Sequence, residues 1–295
     1  MSANFLSEIT GSFSQSAADN PTVALMEATY RHHGLNWRYV NCEVGPMGLA
    51  AAVAGARAMN WAGFNCSMPH KVSVVALLDG LAPSARIIGA VNCVVRRDSL
   101  YIGENTDGQG FLASLRGLIN PKGLVVLILG AGGAARACAV ELALAGAQKV
   151  IVANRSPQKG NELVALLTSR TDTQTNFIEW DSEISIPAEV DLLINATSIG
   201  LFPAVEKRPH VDLTSLHARQ IVADIIPNPS MTSLLLAAEQ KGCRILNGFG
   251  MLINQAALNV EYWTGISPDR DVMRQCMEEL FSTGYVARPA DRLTD

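Results

Sequence analysis

Three short segments near the start of the chain carry polar side chains that suit acid–base chemistry on a hydroxyl group. The side chains are those of Asn65, Ser67, Lys71, Asn92, Asn105, Thr106 and Asp107. A lysine beside an aspartate can hold or transfer a proton, because each charge stabilises the other. An asparagine amide both donates and accepts hydrogen bonds, and it can therefore fix the orientation of a substrate hydroxyl. Together these residue types indicate proton transfer at a secondary alcohol or ketone.

Each of these residues also has a purely structural interpretation. Asp107 or Thr106 is suited to cap a helix that begins there, Asn92 can hold a turn, and Lys71 can be a solvated helix residue. Spacing alone leaves both interpretations open.

A glycine-rich turn at residues 130–135 has the spacing of a dinucleotide-binding motif. An apolar run at residues 124–129 enters the turn, an alanine-rich segment follows it as far as Gly146, and a second apolar run covers residues 149–153. This order predicts strand, helix and strand with the G-x-G-x-x-A fingerprint at the first turn, where N–H groups at the helix start favour a pyrophosphate. The turn residues predicted to contact the cofactor are Gly130, Ala131, Gly132, Gly133 and Ala134. The alternative is an ordinary tight turn.

The residues after the second apolar run distinguish between two nicotinamide cofactors. Cofactors with a free ribose 2′-hydroxyl usually meet an Asp or Glu about 20 residues after the motif. This chain instead has Asn154, Arg155 and Ser156, with Lys159 one turn later. Because cations suit a 2′-phosphate, the sequence predicts NADP in preference to NAD. The alternative is that Arg155 and Lys159 are solvated loop charges.

The composition predicts two domains and excludes several function classes. The chain has 295 residues, of which 48% are hydrophobic, and a net charge of −4, and single cores stop growing near this length. Without a basic block, a long apolar run or a signal-peptide pattern, we expect a soluble cytoplasmic protein that binds neither nucleic acid nor membranes. The six cysteines stand singly and the five histidines lack the spacing of metal ligands, so we expect reduced thiols and no metal.

The alternation of apolar runs with helical patterns predicts an α/β fold. Strands are expected at residues 37–44, 62–68, 90–96, 100–103, 124–129, 149–153, 191–195, 221–226 and 244–246. Helices are expected at residues 21–33, 49–59 and 69–78, from residue 106 onwards, between the glycine turn and Gly146, and at residues 158–167, 233–241, 251–263 and 269–281. Residues 79–89 and 168–176 are expected to be loops.

Seven motifs of the chain occur in the order found in the shikimate dehydrogenase family. They lie at residues 65–71, 89–92, 105–108, 130–134, 154–156, 195–200 and 248–255. The chain resembles this family over nearly its whole length. The resemblance implies an N-terminal α/β substrate-binding domain formed by residues 1–107 plus 249–295, and a Rossmann-type doubly wound NADP-binding domain formed by residues 108–248. It also implies an active site in the cleft between the two domains.

The resemblance further implies a reaction and roles for individual residues. The reaction is the reversible reduction of 3-dehydroshikimate to shikimate with NADPH, and Lys71 and Asp107 are its catalytic pair. The substrate-binding residues it implies are Asn20, Thr22, Asn65, Ser67, Asn92 and Gln255. The cofactor contacts it implies, beyond those named above, are Thr197, Ile225, Gly248 and Met251. A homodimer is implied as well.

Two departures from the family pattern concern the substrate. The family usually has Ser-x-Ser-Pro or Ser-x-Thr near its N-terminus, where the hydroxyls hold the substrate carboxylate. An ungapped alignment places Asn20, Pro21 and Thr22 there, with residues 14–16 as a gapped alternative. The family's tyrosine after residues 224–226 is replaced by Pro227. Quinate or another cyclic hydroxy-carboxylate therefore stays an alternative substrate, and a catalytically idle NADP-binding regulator is an alternative of a different class.

Overall fold

The structure, a computed structural model, describes residues 5–18 and 20–282. The chain divides into two compact units, of which the first is Met1–Thr106 with Ala256–Asp295 and the second is Asp107–Gln255. We call them unit 1 and unit 2. The domain boundaries predicted from the sequence, after residues 107 and 248, stay a prediction.

Strands and helices alternate along the chain, as the α/β prediction requires. The strands are β1 (Glu8–Ser14), β2 (Trp37–Glu43), β3 (Gly63–Cys66), β4 (Gly80–Leu81), β5 (Cys93–Arg97), β6 (Leu100–Glu104), β7 (Val125–Leu129), β8 (Lys149–Asn154), β9 (Gln174–Glu179), β10 (Ile184–Ser185), β11 (Leu192–Asn195), β12 (Val211–Asp212), β13 (Ile221–Asp224) and β14 (Arg244–Leu246). The helices are α1 (Thr22–His32), α2 (Leu49–Ala58), α3 (His70–Ser73), α4 (Pro83–Ile88), α5 (Thr106–Arg116), α6 (Gly133–Leu144), α7 (Pro157–Arg170), α8 (Ser233–Gln240), α9 (Gly248–Thr264) and α10 (Arg270–Ser282). Short 3-10 helices occupy Pro46–Gly48, Val74–Leu77 and Leu213–Ser215.

Unit 1 contains a six-stranded mixed sheet with the order β2-β1-β3-β5-β6-β4. β1 runs parallel to both β2 and β3, whereas β5 is antiparallel to β3 and to β6. The carboxyl ends of β1, β2 and β3 therefore lie at one edge of the sheet. An aromatic core supports this edge, because the rings of Phe13 and Phe64 stack with centroids 4.5 Å apart.

Unit 2 contains a six-stranded parallel sheet with the order β14-β13-β11-β7-β8-β9. The chain proceeds outward from β7 through β8 to β9, and then returns to β11 on the other side of β7. The strand order therefore reverses between β7 and β11, which is the position where open parallel sheets bind ligands beyond their strand ends. The central strands are buried on both faces, and every residue of β7 and β11 is buried.

Most predicted strands and helices are confirmed. The structure also has strands that the sequence did not predict, namely β1 and the two-residue strands β10 and β12, and two of the expected loops are wrong. β1 was not predicted, because its buried residues Thr10, Ser12 and Ser14 are polar and hide the apolar alternation of a strand. The expected loop at residues 79–89 is wrong, because it contains β4 and α4.

The expected loop at residues 168–176 is wrong as well. α7 continues to Arg170, and β9 begins at Gln174. β9 pairs with β8 on one side and is an edge strand of the sheet. Its side chains are exposed or half-buried, so polar residues are compatible with it and the apolar signal of a strand is weak.

Membrane-spanning helices and metal clusters are absent from the part of the chain that the structure describes. Within residues 5–18 and 20–282, no helix is long and apolar enough to cross a membrane. No group of three or more His, Cys, Asp or Glu residues in those ranges is arranged to hold a metal ion. All six cysteines are free thiols.

Candidate active site

The glycine turn of unit 2 has an open backbone at the start of α6. Gly130 has a φ of +107°, a conformation that favours glycine, and it lets the chain turn sharply after β7. A Cβ on Gly132 or Gly133 would meet no atom within 4 Å, and both residues are exposed. Ala135 is fully buried. The turn therefore presents free backbone N–H groups at a helix start, as the sequence predicts, and this geometry suits a pyrophosphate.

The polar residues after β8 form an ordered turn beside the glycine turn. Asn154 ends β8 and donates from Nδ2 to the Ser156 carbonyl at 2.9 Å. Ser156 caps α7, because its hydroxyl accepts from the Lys159 backbone N–H. Arg155 and Lys159 are exposed. Since β8 pairs in parallel with β7, these side chains follow the strand end next to Gly130, where a 2′-phosphate would need cations.

Thr197 and Ile225 follow the ends of the strands on the other side of β7. A Cβ on Gly130 would lie 3.1 Å from the Thr197 Cγ2, so Thr197 packs directly against the glycine turn. A Cβ on Gly248 would lie 2.4 Å from the Ile225 carbonyl carbon, and only glycine fits there. The structure therefore brings Thr197, Ile225 and Gly248 to the same end of the unit 2 sheet as Gly130.

Two further predicted residues, Met251 and Gln255, lie on α9 and are half-buried. A Cβ on Gly110 of α5 would lie 2.7 Å from the Gln255 backbone nitrogen and 2.9 Å from the Met251 carbonyl oxygen. Gly110 therefore lets α5 and α9 approach closely within unit 2.

Thr197 belongs to a buried polar network with Asn195, Asp224 and Thr232, which the sequence does not predict. Asp224 is 1% exposed, and its Oδ2 accepts from Asn195 Nδ2 at 3.0 Å and from Thr232 Oγ1 at 2.8 Å. Its Oδ1 accepts from the Ile226 backbone N–H at 3.1 Å. Burial raises the pKa of Asp224 to about 6, and the hydrogen bonds oppose that shift. The available signal was a polar residue in each of two apolar runs, Asn195 at the end of residues 191–195 and Asp224 within residues 221–226.

In unit 1, Asn65 and Asn92 belong to one chain of hydrogen bonds. The Tyr39 hydroxyl donates to Asn65 Oδ1 at 2.8 Å, and Asn65 Nδ2 donates to the Asn92 carbonyl at 2.9 Å. Asn92, only 4% exposed, donates from Nδ2 to Thr106 Oγ1 and accepts the Thr106 backbone N–H at 2.7 Å. Burial raises the pKa of Tyr39 well above its usual range, so its hydroxyl is a neutral donor. Asn92 therefore fixes the start of α5. Asn65 is half-buried, and its Nδ2 carries a second N–H besides the one that donates to the Asn92 carbonyl.

Ser67 and Lys71 lie on the turn and short helix that follow β3, and both are half-buried. The turn is held by the Ser67 N–H, which donates to the Phe13 carbonyl at 3.1 Å, and by the His70 N–H, which donates to the Ser67 carbonyl at 2.8 Å. Burial raises the pKa of the Cys66 thiol to about 12, and the positive charge of Lys71 acts against that shift. The Lys71 ammonium group is therefore close to the end of β3.

Asp107 is a half-buried residue in the first turn of α5. Burial raises the pKa of Cys138 on α6 well above its usual range, and the negative charge of Asp107 adds to that effect. A Cβ on Gly108 would lie 2.5 Å from the Ala137 carbonyl oxygen. The start of α5, which carries Asp107, is therefore packed directly against the middle of α6.

The structure assigns the Asn20 side chain to the connection between β1 and α1. Asn20 Nδ2 donates to Ser12 Oγ at 3.2 Å, and Asn20 Oδ1 accepts from the half-buried Thr22's backbone N–H at 3.0 Å. Ser12 Oγ donates to Asn41 Oδ1 at 2.9 Å. Ser12, Asn41 and Asn65 are register neighbours across β1, β2 and β3. This uncharged polar row was missed because β1 was not predicted, although every second residue of residues 10–14 is polar.

The other two positions that bear on substrate choice also have defined surroundings. A gapped alignment places residues 14–16 at the family's carboxylate-binding motif. Ser14 is buried at the end of β1, and its Oγ accepts from the Ser16 backbone N–H at 3.2 Å. Pro227 is half-buried and lies three residues beyond the end of β13. A proline side chain has no hydroxyl with which to bind a carboxylate.

Known families match three parts of the chain. Residues 17–94 match the shikimate dehydrogenase substrate binding domain, residues 116–226 match shikimate / quinate 5-dehydrogenase, and residues 248–277 match the shikimate 5'-dehydrogenase C-terminal domain.

Individual proteins are similar over nearly the whole chain. Shikimate dehydrogenase (NADP(+)) of Desulforamulus reducens is 38% identical over 285 residues, which is 95% of this chain and 98% of the relative. 5-ketofructose reductase of Gluconobacter sp. strain CHM43 is 52% identical in sequence. The crystal structure of its ligand-free form has a TM-score of 0.92 and covers 94% of this chain and 100% of the reductase chain. Shikimate 5-dehydrogenase of Listeria monocytogenes is 31% identical in sequence. Its crystal structure in complex with shikimate and NAD has a TM-score of 0.87 and covers 92% of this chain and 96% of the Listeria chain. On these similarities, the chain belongs to the shikimate dehydrogenase family.

Proposed function

We propose that the protein is an NADP-dependent oxidoreductase that acts on a CH–OH group and interconverts shikimate and 3-dehydroshikimate. The observation that carries this proposal is that both proton-handling residues of the family, Lys71 and Asp107, are present on ordered helix starts. Relatives of 38% identity that span nearly the whole chain are shikimate dehydrogenases that use NADP. A regulator without catalytic activity has no chemical need for this pair.

The proposed cofactor contacts lie in unit 2. Gly130, Gly132 and the start of α6 would bind the pyrophosphate, and the open space at Gly132 fits that group. Exposed Arg155 and Lys159, with the ordered Asn154–Ser156 turn, would bind the 2′-phosphate. Thr197, Ile225, Gly248 and Met251 would line the nicotinamide side. When bound, NADPH supplies the hydride.

The residues of the chain would handle the proton and the substrate hydroxyls. In the direction of reduction, the Lys71 ammonium group gives its proton to the carbonyl oxygen as the carbonyl carbon is reduced. The neutral lysine would then take up a proton from solvent, and the Asp107 carboxylate, as the other member of the family's pair, would favour the charged form of the lysine. We assign the binding of substrate hydroxyls to Asn65, Ser67, Asn92 and Gln255.

A spectrophotometric assay tests this function. Purified protein should reduce NADP in the presence of shikimate and oxidise NADPH in the presence of 3-dehydroshikimate, measured by the absorbance of NADPH. NADPH binding without turnover of any substrate would support the regulator instead.

A second candidate function is the reduction of a neutral keto sugar such as 5-ketofructose. The 5-ketofructose reductase is 52% identical to this chain, whereas the shikimate dehydrogenase of Desulforamulus reducens is 38% identical. Two positions at which the family has a hydroxyl lack one here, because Asn20 replaces a serine and Pro227 replaces a tyrosine, whereas Thr22 keeps its hydroxyl. The Asn20 amide is bonded to Ser12 and to the Thr22 backbone. A keto sugar has no carboxylate, so these changes would cost it little binding energy.

A substrate panel separates the two candidates. We would measure kcat/KM with NADPH for 3-dehydroshikimate and 5-ketofructose, and with NADP for shikimate and quinate. Shikimate dehydrogenase activity predicts the highest value for the shikimate pair, whereas keto-sugar reductase activity predicts it for 5-ketofructose. In the second case, Pro227→Tyr should shift the ratio toward 3-dehydroshikimate, and an unchanged ratio would exclude Pro227 from substrate selection.

We also keep two proposals, of which the homodimer rests on the family resemblance and the cytoplasmic location on the composition. A homodimer predicts a mass of about twice the 31.5 kDa of the chain, which light scattering after size-exclusion chromatography would measure. A cytoplasmic location predicts recovery in the cytoplasmic fraction of lysed cells.

A further inference from the structure

Asp224 ends β13 in unit 2, and its carboxylate is a junction between two loops. Its Oδ2 accepts from Asn195, its register partner on β11, and from Thr232 at the start of α8. Its Oδ1 accepts from the backbone of Ile226. An ionised carboxylate accepts several hydrogen bonds at once, and charge strengthens each of them.

The Asn195 side chain extends this junction to the loop after β11. Asn195 Oδ1 accepts from Thr197 Oγ1 at 2.7 Å and from the Thr197 backbone N–H at 3.2 Å, and Asn195 Nδ2 also donates to the Ile199 carbonyl. Thr197 in turn packs against Gly130 of the glycine turn. The position of Thr197 is therefore set through Asn195 by Asp224.

The backbone bond to Ile226 extends the junction to the loop after β13. Ile225 lies between Asp224 and Ile226, and its backbone is in close contact with Gly248. Thr232 bonds to the same carboxylate and also caps α8 through the Leu235 N–H. Both ends of residues 225–232 are therefore fixed to Asp224.

We propose that Asp224 is a positioning residue for the nicotinamide half of the cofactor. It holds Thr197 and Ile225, two of the four residues assigned above to the nicotinamide side, in one arrangement, and it is itself buried. This inference rests on the proposed function, because it requires a nicotinamide cofactor at this end of the sheet. Burial raises the pKa of Asp224 to about 6, so the carboxylate is ionised at neutral pH.

Asp224→Asn tests the inference, because the amide keeps one acceptor oxygen and must place its N–H groups against at least one of the three donors. Titration calorimetry would measure the Kd of NADPH and of adenosine 2′,5′-bisphosphate, which has the adenine end of the cofactor and lacks nicotinamide. We expect the Kd of NADPH to rise about tenfold and kcat to fall about tenfold to a hundredfold. The Kd of the bisphosphate should stay unchanged, because Arg155 and the α7 start are not part of the junction.

The matched control is Asp212→Asn. Asp212 also accepts from a threonine, through the Thr214 hydroxyl at 2.6 Å and backbone N–H at 2.8 Å, but it caps a 3-10 helix and its bonds are exposed. The Asp212→Asn substitution should leave the Kd of NADPH and the Kd of the bisphosphate unchanged. If Asp224→Asn does not fold, Thr232→Val and Thr232→Ser replace it, since only the serine keeps the hydroxyl. The valine variant should weaken NADPH binding and the serine variant should retain it.

The outcomes separate this inference from the function on which it rests. An unchanged ratio of the two dissociation constants in Asp224→Asn, or equal effects of valine and serine at position 232, would overturn the positioning role. Wild-type protein that binds neither NADPH nor the bisphosphate would overturn the proposed cofactor, and the inference with it.

Discussion

Two ionisable side chains, one in each unit, have different proposed roles. Lys71 is half-buried after β3 in unit 1, whereas Asp224 is 1% exposed at the end of β13 in unit 2. The first is assigned to move a proton and the second to hold backbone loops in place. Because these roles differ, their substitutions should affect different measurements.

Lys71→Met should separate proton transfer from cofactor binding. Methionine keeps an unbranched stem of similar length and removes the ammonium group, so kcat should fall by about 10² to 10⁴. The Kd of NADPH should stay the same, because Lys71 is not among the proposed cofactor contacts. Steady-state kinetics and fluorescence titration of NADPH measure the two quantities. Lys122→Met, at an exposed lysine, is the control, and full turnover in Lys71→Met would contradict the proposed mechanism.

Asp224 should make the stability of the folded protein depend on pH. An aspartate titrates near pH 4 in an unfolded chain, whereas burial raises the pKa of Asp224 to about 6 in the folded protein. Between these values the folded state binds more protons, so the free energy of unfolding falls as the pH rises from about 4 to about 6. At about 1.4 kcal/mol per pH unit, the loss is on the order of 3 kcal/mol.

Urea unfolding of wild type and Asp224→Asn across this pH range measures the effect. The wild type should lose stability relative to the variant as the pH rises. Asp212→Asn is the control, and its profile should run parallel to that of the wild type over this range. Hydrogen bonds from Thr214 lower the pKa of Asp212, so its contribution to stability is lost only below about pH 4. Parallel pH profiles of wild type and Asp224→Asn would contradict the prediction.

Helix α5 carries the proposed catalytic residue Asp107. Two glycines of α5 allow its backbone to lie in close contact with α6 and α9. Gly108 follows Asp107 and faces the Ala137 carbonyl of α6, and Gly110 faces the backbone of α9. Backbone atoms cannot rotate away as the end of a side chain can, so an added methyl group must displace the helix itself.

Gly108→Ala should therefore lower both stability and activity. The new Cβ would lie 2.5 Å from the Ala137 carbonyl oxygen, which predicts a cost of about 1–3 kcal/mol for overpacking and a displaced Asp107. Thermal unfolding and kcat measure the two effects. The control is Gly55→Ala in α2, where the nearest atom is the Met59 methyl at 3.9 Å and alanine should be neutral or stabilising by up to about 1 kcal/mol. Unchanged Tm and kcat in Gly108→Ala would show that α5 can move without loss.

The elements that the sequence predicts well are those whose burial matches their composition. β7, β8 and β11 are continuous apolar runs in a parallel sheet, and the glycine turn follows from Gly130 and its neighbours. β1 and β9 were missed for opposite reasons. The inward-facing residues of β1 are buried polar side chains joined by hydrogen bonds to other elements, such as Thr10 to Tyr30, whereas β9 is an exposed edge strand.

The residues of the site were predicted from the sequence, but the hydrogen-bonded contacts between strands were not. Motif spacing identifies positions such as Lys71, Asp107 and Arg155, because their residue types are chemically distinctive. The Asp224 junction and the row of Ser12, Asn41 and Asn65 depend on strand register, which brings together residues that are distant in the sequence. Both Ser12 and Asn41, and Asn195 and Asp224, lie 29 positions apart. Single-residue patterns carry no information about such pairs until the strand order is known.

At the scale of the whole molecule, the proposed cofactor contacts all fall within Asp107–Gln255, whereas Lys71 and most substrate contacts fall within Met1–Thr106. Cofactor preference can therefore be tested by binding alone, without knowing the substrate. A ligand that binds only the folded state stabilises it by about 2.7 kcal/mol when its concentration is 100 times its Kd.

NADPH should raise the Tm of the protein by several degrees more than NADH at the same concentration. The 2′-phosphate adds charge-assisted hydrogen bonds to Arg155, each with a net contribution of about 1.5–3 kcal/mol. Arg155→Ala should remove most of the difference between the two cofactors, because it leaves the glycine turn intact. Arg170→Ala, an exposed arginine at the other end of α7, should keep it. Equal shifts by NADPH and NADH in the wild type would show that the protein does not discriminate on the 2′-phosphate, and an unchanged difference in Arg155→Ala would place that discrimination on residues other than Arg155.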